Sequence, residues 1–344
     1  MTAGARLTLL LLACAHALKL PFRRASLPAS DKRAAAEAAT STAGRKKLAQ
    51  VNELLSDGSF IDSITPSLPS LGGDAATKEE LAAIAAARVE LSDDNWVASS
   101  SDDVLLRFAR AGGDNLTARL AATSEWRSRV IPPTDDRAWE FERFFAANRD
   151  KFSDCPELGQ RPFMEWVRAR PEDDGGDARP LQLEGSSLLI LRPGRHRIGA
   201  IDAETWLRLI AWHGERATGA WAAGGDGRVS LGGDGTVSLI VDRTGSSLRN
   251  QDPALLKELL PSLTQNFPFS LHKAYVAPIN VVFWAIWSVV RLVLPSRVTA
   301  RFTLLSGDGW RAALTEEIRE TCGSVVASAV APRIGPVEET GSVA

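Results

Sequence analysis

The sequence predicts an α/β domain behind a small helical bundle, and three observations carry this. Short apolar runs at 180–183, 187–192, 237–241, 274–277 and 302–305 alternate with helical patterns at 203–223 and 253–266, the order expected of a sheet covered by helices. The runs are mostly apolar, Ser238 being the exception within 237–241, as expected where both faces of a sheet are covered. The third observation is the stretch 279–294, bounded by Pro278 and Pro295, which reads as a helix stopped at both ends by proline. Its polar residues Asn280, Ser288 and Arg291 fall on one narrow stripe with Trp284 and Trp287, while Ile279, Val282, Phe283, Ile286, Val289, Val290 and Val293 fall on the other side. A helix apolar nearly all round meets something apolar on two sides. That is core on both sides, a bilayer, or an oily cavity on one side and a membrane surface on the other.

In chain order, 1–17 reads as a secretory signal peptide, with Arg6 before the apolar run 7–15 and Ala15-His16-Ala17 as the cleavage site. Residues 18–74 read as a transit-like segment and linker. The part up to Gln50 is rich in Ala, Ser, Thr, Lys and Arg, with Asp31 and Glu37 its only acids. A signal followed by such a segment resembles the two-part address of plastids enclosed by extra membranes; a secreted or endoplasmic-reticulum protein with a disordered N-terminus is the alternative. Structure is expected from 75, with a helical subdomain over 75–135. Thr77-Lys78-Glu79-Glu80 is a near capping box before the stripe Leu81, Ile84, Val89 and Leu91. Ser101 opens a second helix carrying Val104, Leu105 and Phe108. Asn115 caps a third, with Leu116, Leu120 and Trp126 inward; Asn115-Leu116-Thr117 is also a glycosylation sequon, but the cap already accounts for the asparagine.

Residues 136–324 form the predicted α/β domain and 325–344 a loose, small and polar tail. The helix at 139–149, amphipathic through Trp139, Phe141, Phe144 and Phe145, bridges bundle and domain. The acidic loop 172–177 lacks the spacing of a calcium site. Pro193–Arg197 is a basic turn. The glycine-rich stretch 224–235 is followed by a strand, not by the helix that a phosphate cradle needs. The helix at 253–266 is kinked at Pro261.

Several segments resemble the CRAL-TRIO domain family of yeast-type phosphatidylinositol-transfer, tocopherol-transfer and retinal-binding proteins. They are Asn266-Phe267-Pro268, Lys273-Ala274-Tyr275-Val276-Ala277-Pro278, Val282-Phe283-Trp284, Leu294-Pro295-Ser296 and Arg301-Phe302-Thr303-Leu304-Leu305-Ser306-Gly307-Asp308. The family pattern in the same order is "YP", "KIYIINAP", "W-F", "LDP" and "K-I-x-F-L-S-G-D". Val241-Asp242-Arg243-Thr244-Gly245 is similar to its "VDLEG", and 103–111 followed by Ser124-Glu125-Trp126-Arg127 resembles the helical subdomain that precedes it. The resemblance spans roughly 101–320. It implies a mixed sheet as the floor of an apolar ligand cavity, helices on the opposite face, and 279–294 as a gate helix.

A lipid carrier needs an apolar tunnel, worth about 0.8 kcal/mol per buried methylene, a lid, and a few polar groups at one end. Ile190, Leu239, Val241, Val276, Phe302 and Leu304, with Phe283, Ile286 and Val290 of the gate, are the tunnel candidates. Arg192, Tyr275 and Arg301 join them as ligand-binding candidates. All of these also fit ordinary core. Trp284 and Trp287 suit a membrane interface. Phe269 and Val298 stand where inositol-lipid binders of the family carry a glutamate and a threonine, and Arg301 stands for their lysine with a different geometry. The resemblance therefore leaves the lipid unnamed, although Arg301 can pair with a phosphate.

The remaining chemistry is sparse. A net charge of −2 gives no basic field for nucleic acid. Of the three cysteines, Cys14 lies in the signal, and Cys155 and Cys322 read as free thiols, with a single bridge between them as the alternative. No nucleophile elbow, Walker motif or zinc motif occurs, so neither cofactor nor metal is expected. His196, His213 and His272 with Ser306 and Asp242 are background, and His213 reads as a core histidine. The expected protein is a non-enzymatic lipid binder, monomeric, touching membranes peripherally and transiently. The alternatives are a ligand-free scaffold for protein or membrane interactions, and a span over 276–294, against which Pro278, Asn280 and Arg291 count.

Overall fold

The computed structural model describes residues 76–111, 115–132, 137–168, 180–218, 235–268, 270–280, 283–284, 287 and 299–337. The expectations for 1–75, the acidic loop, the glycine-rich stretch 224–234, positions 269 and 298, and most of 279–294, including Ile286 and Val290, lie outside the described residues.

The bundle contains α1 (Lys78–Glu90), α2 (Asn95–Ser99), α3 (Asp102–Arg110) and α4 (Leu116–Val130). Each begins with a side-chain cap. Glu80 N donates to Thr77 Oγ1 at 3.1 Å and Thr77 N to Glu80 Oε2 at 2.8 Å, which is the capping box. Asp94 and Ser101 cap α2 and α3. Asn115 Oδ1 accepts from Ala118 N at 2.8 Å, so the sequon asparagine is the cap of α4. The stripe on α1 differs from expectation. Leu81 and Val89 are exposed, and Ile84, Ala87 and Leu91 make the contact with Leu105, Phe108 and Leu120.

Helix α5 (Phe141–Ala147) leads into the sheet, made of β1 (Met164–Trp166), β2 (Gln182–Leu183), β3 (Ser186–Leu191), β4 (Val237–Asp242), β5 (Leu271–Ala277) and β6 (Phe302–Leu304). Strands β3 to β6 are parallel neighbours in that order. Strands β1 and β2 run antiparallel along the outer edge of β3, so the sheet is mixed. Helices α6 (Ala203–Thr218) and α7 (Pro253–Asn266, with Pro261 inside) are the crossovers flanking β4. Two helices close the chain, α8 (Trp310–Cys322) and α9 (Ser324–Val330).

Alternation along the strands divides the sheet into two faces. Leu188, Ile190, Ile240, Tyr275 and Ala277 pack on Trp310, Leu314 and Ile318 of α8 and on Val326 and Val330 of α9. The residues between them face the other way. Toward one end of that second face, Leu189, Leu191 and Val237 meet the cluster of Phe141, Phe144, Phe145, Trp166, Trp206, Leu209 and Leu259 from α5, β1, α6 and α7.

The expectation of a loose tail is corrected for 325–337 by this packing, and 338–344 lie outside the described residues. Val326, Ala327, Val330 and Ile334 are buried. Gly335 N donates to the buried Asp242 carboxylate at 2.9 Å, and Val337 N to Glu157 O at 2.8 Å. The small residues that made 325–337 look featureless let α9 lie close against α8, with Val326 and Val330 one turn apart on the buried side. The α/β domain therefore extends beyond 324.

Candidate functional site

Registers place two apolar ranks across the second face. Leu189, Leu239, Ala274 and Phe302 form one; Leu191, Val241, Val276 and Leu304 form the other. Strand β4 lies inside the sheet, yet its exposure alternates: Ser238, Ile240 and Asp242 are buried, whereas Val237, Leu239 and Val241 remain partly exposed. Phe302 and Leu304 are partly exposed as well. Interior strand side chains that are apolar but incompletely covered define a trough. Leu239, Val241, Val276, Phe302 and Leu304 all stand on this face.

The start of the gate segment lies over the trough. Asn280 Oδ1 accepts from Phe283 N at 3.0 Å and Asn280 O from Trp284 N at 2.9 Å, the hydrogen bonds of a helix start. Phe283 and Trp287, one turn apart, stack with centroids 6.4 Å apart, and Trp287 meets Phe302 of the floor at 4.9 Å. Trp287 thus turns toward the sheet together with Phe283 and away from the outer stripe expected for it. Trp284 sits about 100° around the helix from Phe283.

Four residues expected at the ligand are engaged elsewhere. Ile190 and Tyr275 are fully buried against the C-terminal helices, because their register puts them on the opposite face. Arg192, also fully buried, donates to Pro162 O at 2.9 Å, Glu165 Oε1 at 3.0 Å and Arg333 O at 2.8 Å, and so ties β3 to β1 and the C-terminus. Arg301 precedes β6, and its guanidinium donates to Leu271 O at the start of β5; burial draws its pKa down. In the basic turn, Arg195 is fully buried, donating to Arg161 O and Ser153 O.

The sequence reading passed over Arg243. It follows the last residue of β4 and continues the side of Val237, Leu239 and Val241. Only 6% of it is exposed, and its Cζ lies 4.4 Å from the Phe283 ring centroid. Burial lowers its pKa to about 10, which leaves it charged at neutral pH. Among the described residues its Nη1 is buried without an acceptor, and the hydroxyls of Thr244 and Ser246, next along the chain, are also unsatisfied. The backbone here is held firmly. Arg243 N donates to Ala277 O at 2.6 Å, and a Cβ on Gly194 would come within 2.7 Å of Thr244 O. The available sequence signal was a cation in line with Leu239 and Val241, at the leucine of the "VDLEG" pattern.

The histidines are separately engaged. Trp166 Nε1 donates to His213 Nδ1 at 2.9 Å, so His213 Nε2 carries the proton that it gives to Trp139 O at 3.0 Å. His196 contacts Asp252 at 3.2 Å and His272 contacts Glu184 at 3.0 Å. Asp242 accepts from Thr244 N and Gly335 N. Cys155 and Cys322 are free thiols, and burial pushes Cys155 up to about 11. Among the described residues no group of three or more His, Cys, Asp or Glu side chains is placed to hold a metal, and no helix is long and apolar enough to cross a membrane.

The mixed sheet thus carries α8 and α9 on one face and, on the other, an apolar trough over which Phe283 and Trp287 lie. Residues 182–322 match the family model described as the CRAL/TRIO domain, a family that generally binds lipophilic ligands. A comparison with curated proteins gave no match.

Proposed function

We propose that the chain is a carrier that binds a membrane lipid, a phospholipid foremost, in the trough between β4–β6 and the gate segment, and transfers or presents it between membranes. The observation that carries this reading is the partial exposure of Leu239 and Val241 on an interior strand, beneath Phe283 and Trp287. Burying an acyl chain there removes apolar surface from water on both partners, at about 25 cal/mol per Å². The protein acts as a monomer that docks on membranes peripherally and transiently, and it is not an enzyme. The separate commitments of His196, His213 and His272 support the last point. The N-terminal sequence supports delivery to a plastid by a two-part address, or else to the secretory route.

The test is movement of a fluorescent phospholipid from donor to acceptor vesicles in the presence of catalytic amounts of the purified chain. Transfer that rises with protein concentration supports the carrier. A rate equal to the protein-free control would refute transfer.

A further inference from the structure

We infer that Arg243 is the anion-binding residue of this trough, and that the ligand is an amphiphile with a carboxylate or phosphate at one end of its apolar tail. The inference rests on the lipid-binding reading above and gives the ligand its chemical class.

The cation is almost wholly buried, yet no carboxylate pairs with it among the described residues. Asp242, its neighbour in sequence, points to the opposite face and accepts from Thr244 N and Gly335 N. The contact identified for the guanidinium is the Phe283 ring. Thr244 Oγ1 and Ser246 Oγ add two more buried polar groups without partners within four residues of chain. Buried cations are ordinarily paired, and buried donors ordinarily find acceptors. A ligand anion in the trough would pair the Arg243 guanidinium. A planar guanidinium suits the two oxygens of a carboxylate or phosphate.

The position sets the ligand's direction. Strands β4, β5 and β6 are parallel; Arg243 follows the end of β4 and Arg301 precedes the start of β6, so the two arginines stand at opposite ends of the trough. Arg301 already donates to Leu271 O, whereas Arg243 Nη1 has no acceptor among the described residues. The anion therefore lies at the C-terminal ends of the strands under Phe283, and the tail runs back over Val241 and Leu239. A neutral lipid would leave the cation unpaired in an apolar site.

The experiment titrates the purified chain with cis-parinaric acid, a fluorescent fatty acid, and with its methyl ester, which keeps the tail and removes the charge. The wild type is expected to bind the acid about tenfold or more tightly than the ester, the scale of one charge-assisted contact. Arg243→Leu is expected to lose that preference while binding the ester at least as well, and Arg243→Lys to keep part of it. Should Arg243→Leu not fold, Arg243→Gln carries the same comparison. Lysophosphatidic acid should displace the acid and inorganic phosphate should not; displacement by inorganic phosphate would make this a free-anion site and overturn the lipid assignment. Equal affinity of the wild type for acid and ester, or an unchanged preference in the neutral variants, would overturn the role of Arg243 and leave lipid binding standing. Binding of neither probe would count against lipid binding itself, and the inference would fall with it.

Discussion

The Arg127 guanidinium on α4 is ion-paired with Glu215 on α6, and both side chains are buried where the helical bundle meets the α/β domain. The cation is packed between the rings of Trp96, 4.3 Å from its Cζ, and Phe267, 5.3 Å away. Trp126 meets Phe267 edge-on at 5.8 Å. Burial draws the Arg127 pKa down to about 9, so the residue remains charged at neutral pH. The bundle is thereby fixed to the helix layer beside the trough.

Breaking this pair on one side strands a buried charge. Arg127→Met or Glu215→Leu alone should each destabilise the protein by about 3–5 kcal/mol, and the double variant should recover most of that loss. Chemical denaturation of the four proteins measures the coupling. Additive losses would mean that the two charges are not coupled.

Truncation after Gly323 should unfold or aggregate the α/β domain. It removes Val326, Val330 and Ile334 from the core and the Gly335 N–H from Asp242. A truncated chain with the wild-type thermal midpoint would refute the closing role of α9.

Acid should loosen α1 through Glu80. Its hydrogen bonds from the Arg110 side chain and from Thr77 N hold its pKa below the ordinary 4.5. The folded pKa lies below the unfolded one, so this stabilisation is present above about pH 4.5 and is lost as pH falls through the folded value. Glu80→Gln should remove that part of the acid sensitivity, read as a flatter stability profile between about pH 5 and 3. An unchanged profile would assign the acid sensitivity to other carboxyls.

Trp287→Ala should shorten the residence time of bound lipid, because the ring bridges the gate segment and Phe302. The fold should persist, since Trp287 is only partly buried. Stopped-flow release of a fluorescent lipid measures the effect. Release at the wild-type rate would exclude the ring from the roof.

Much of this was legible in the sequence because the signals are local. Thr77–Glu80 and Asn115 announce helix starts through their own side chains, and the runs around 188, 239 and 275 announce strands. Facing was harder to read. Ile190 and Leu239 look alike, and only the register, Ile190 opposite Ile240, sends one to the C-terminal helices and the other to the trough. Trp287 followed the polar stripe on a helical wheel, but the position of Phe302 decides its side. Strand β1, Met-Glu-Trp, is too short for a period to emerge. Helix α9 is made of small residues whose burial depends on α8. Arg243 was passed over because a charge after a strand ordinarily reads as the start of a solvated turn.

The central claim is that the second face of the sheet holds a lipid, and organic extraction with mass spectrometry tests it most directly on the purified wild type and two variants. The wild-type chain should yield a stoichiometric lipid. Leu239→Trp, which fills the trough from a partly exposed floor position, should fold and yield little or none. Ile240→Trp, one residue along and fully buried on the closed face, should instead lose stability through overpacking, by about 1–3 kcal/mol. A wild-type chain without lipid, or a folded Leu239→Trp chain retaining the full complement, would contradict the account.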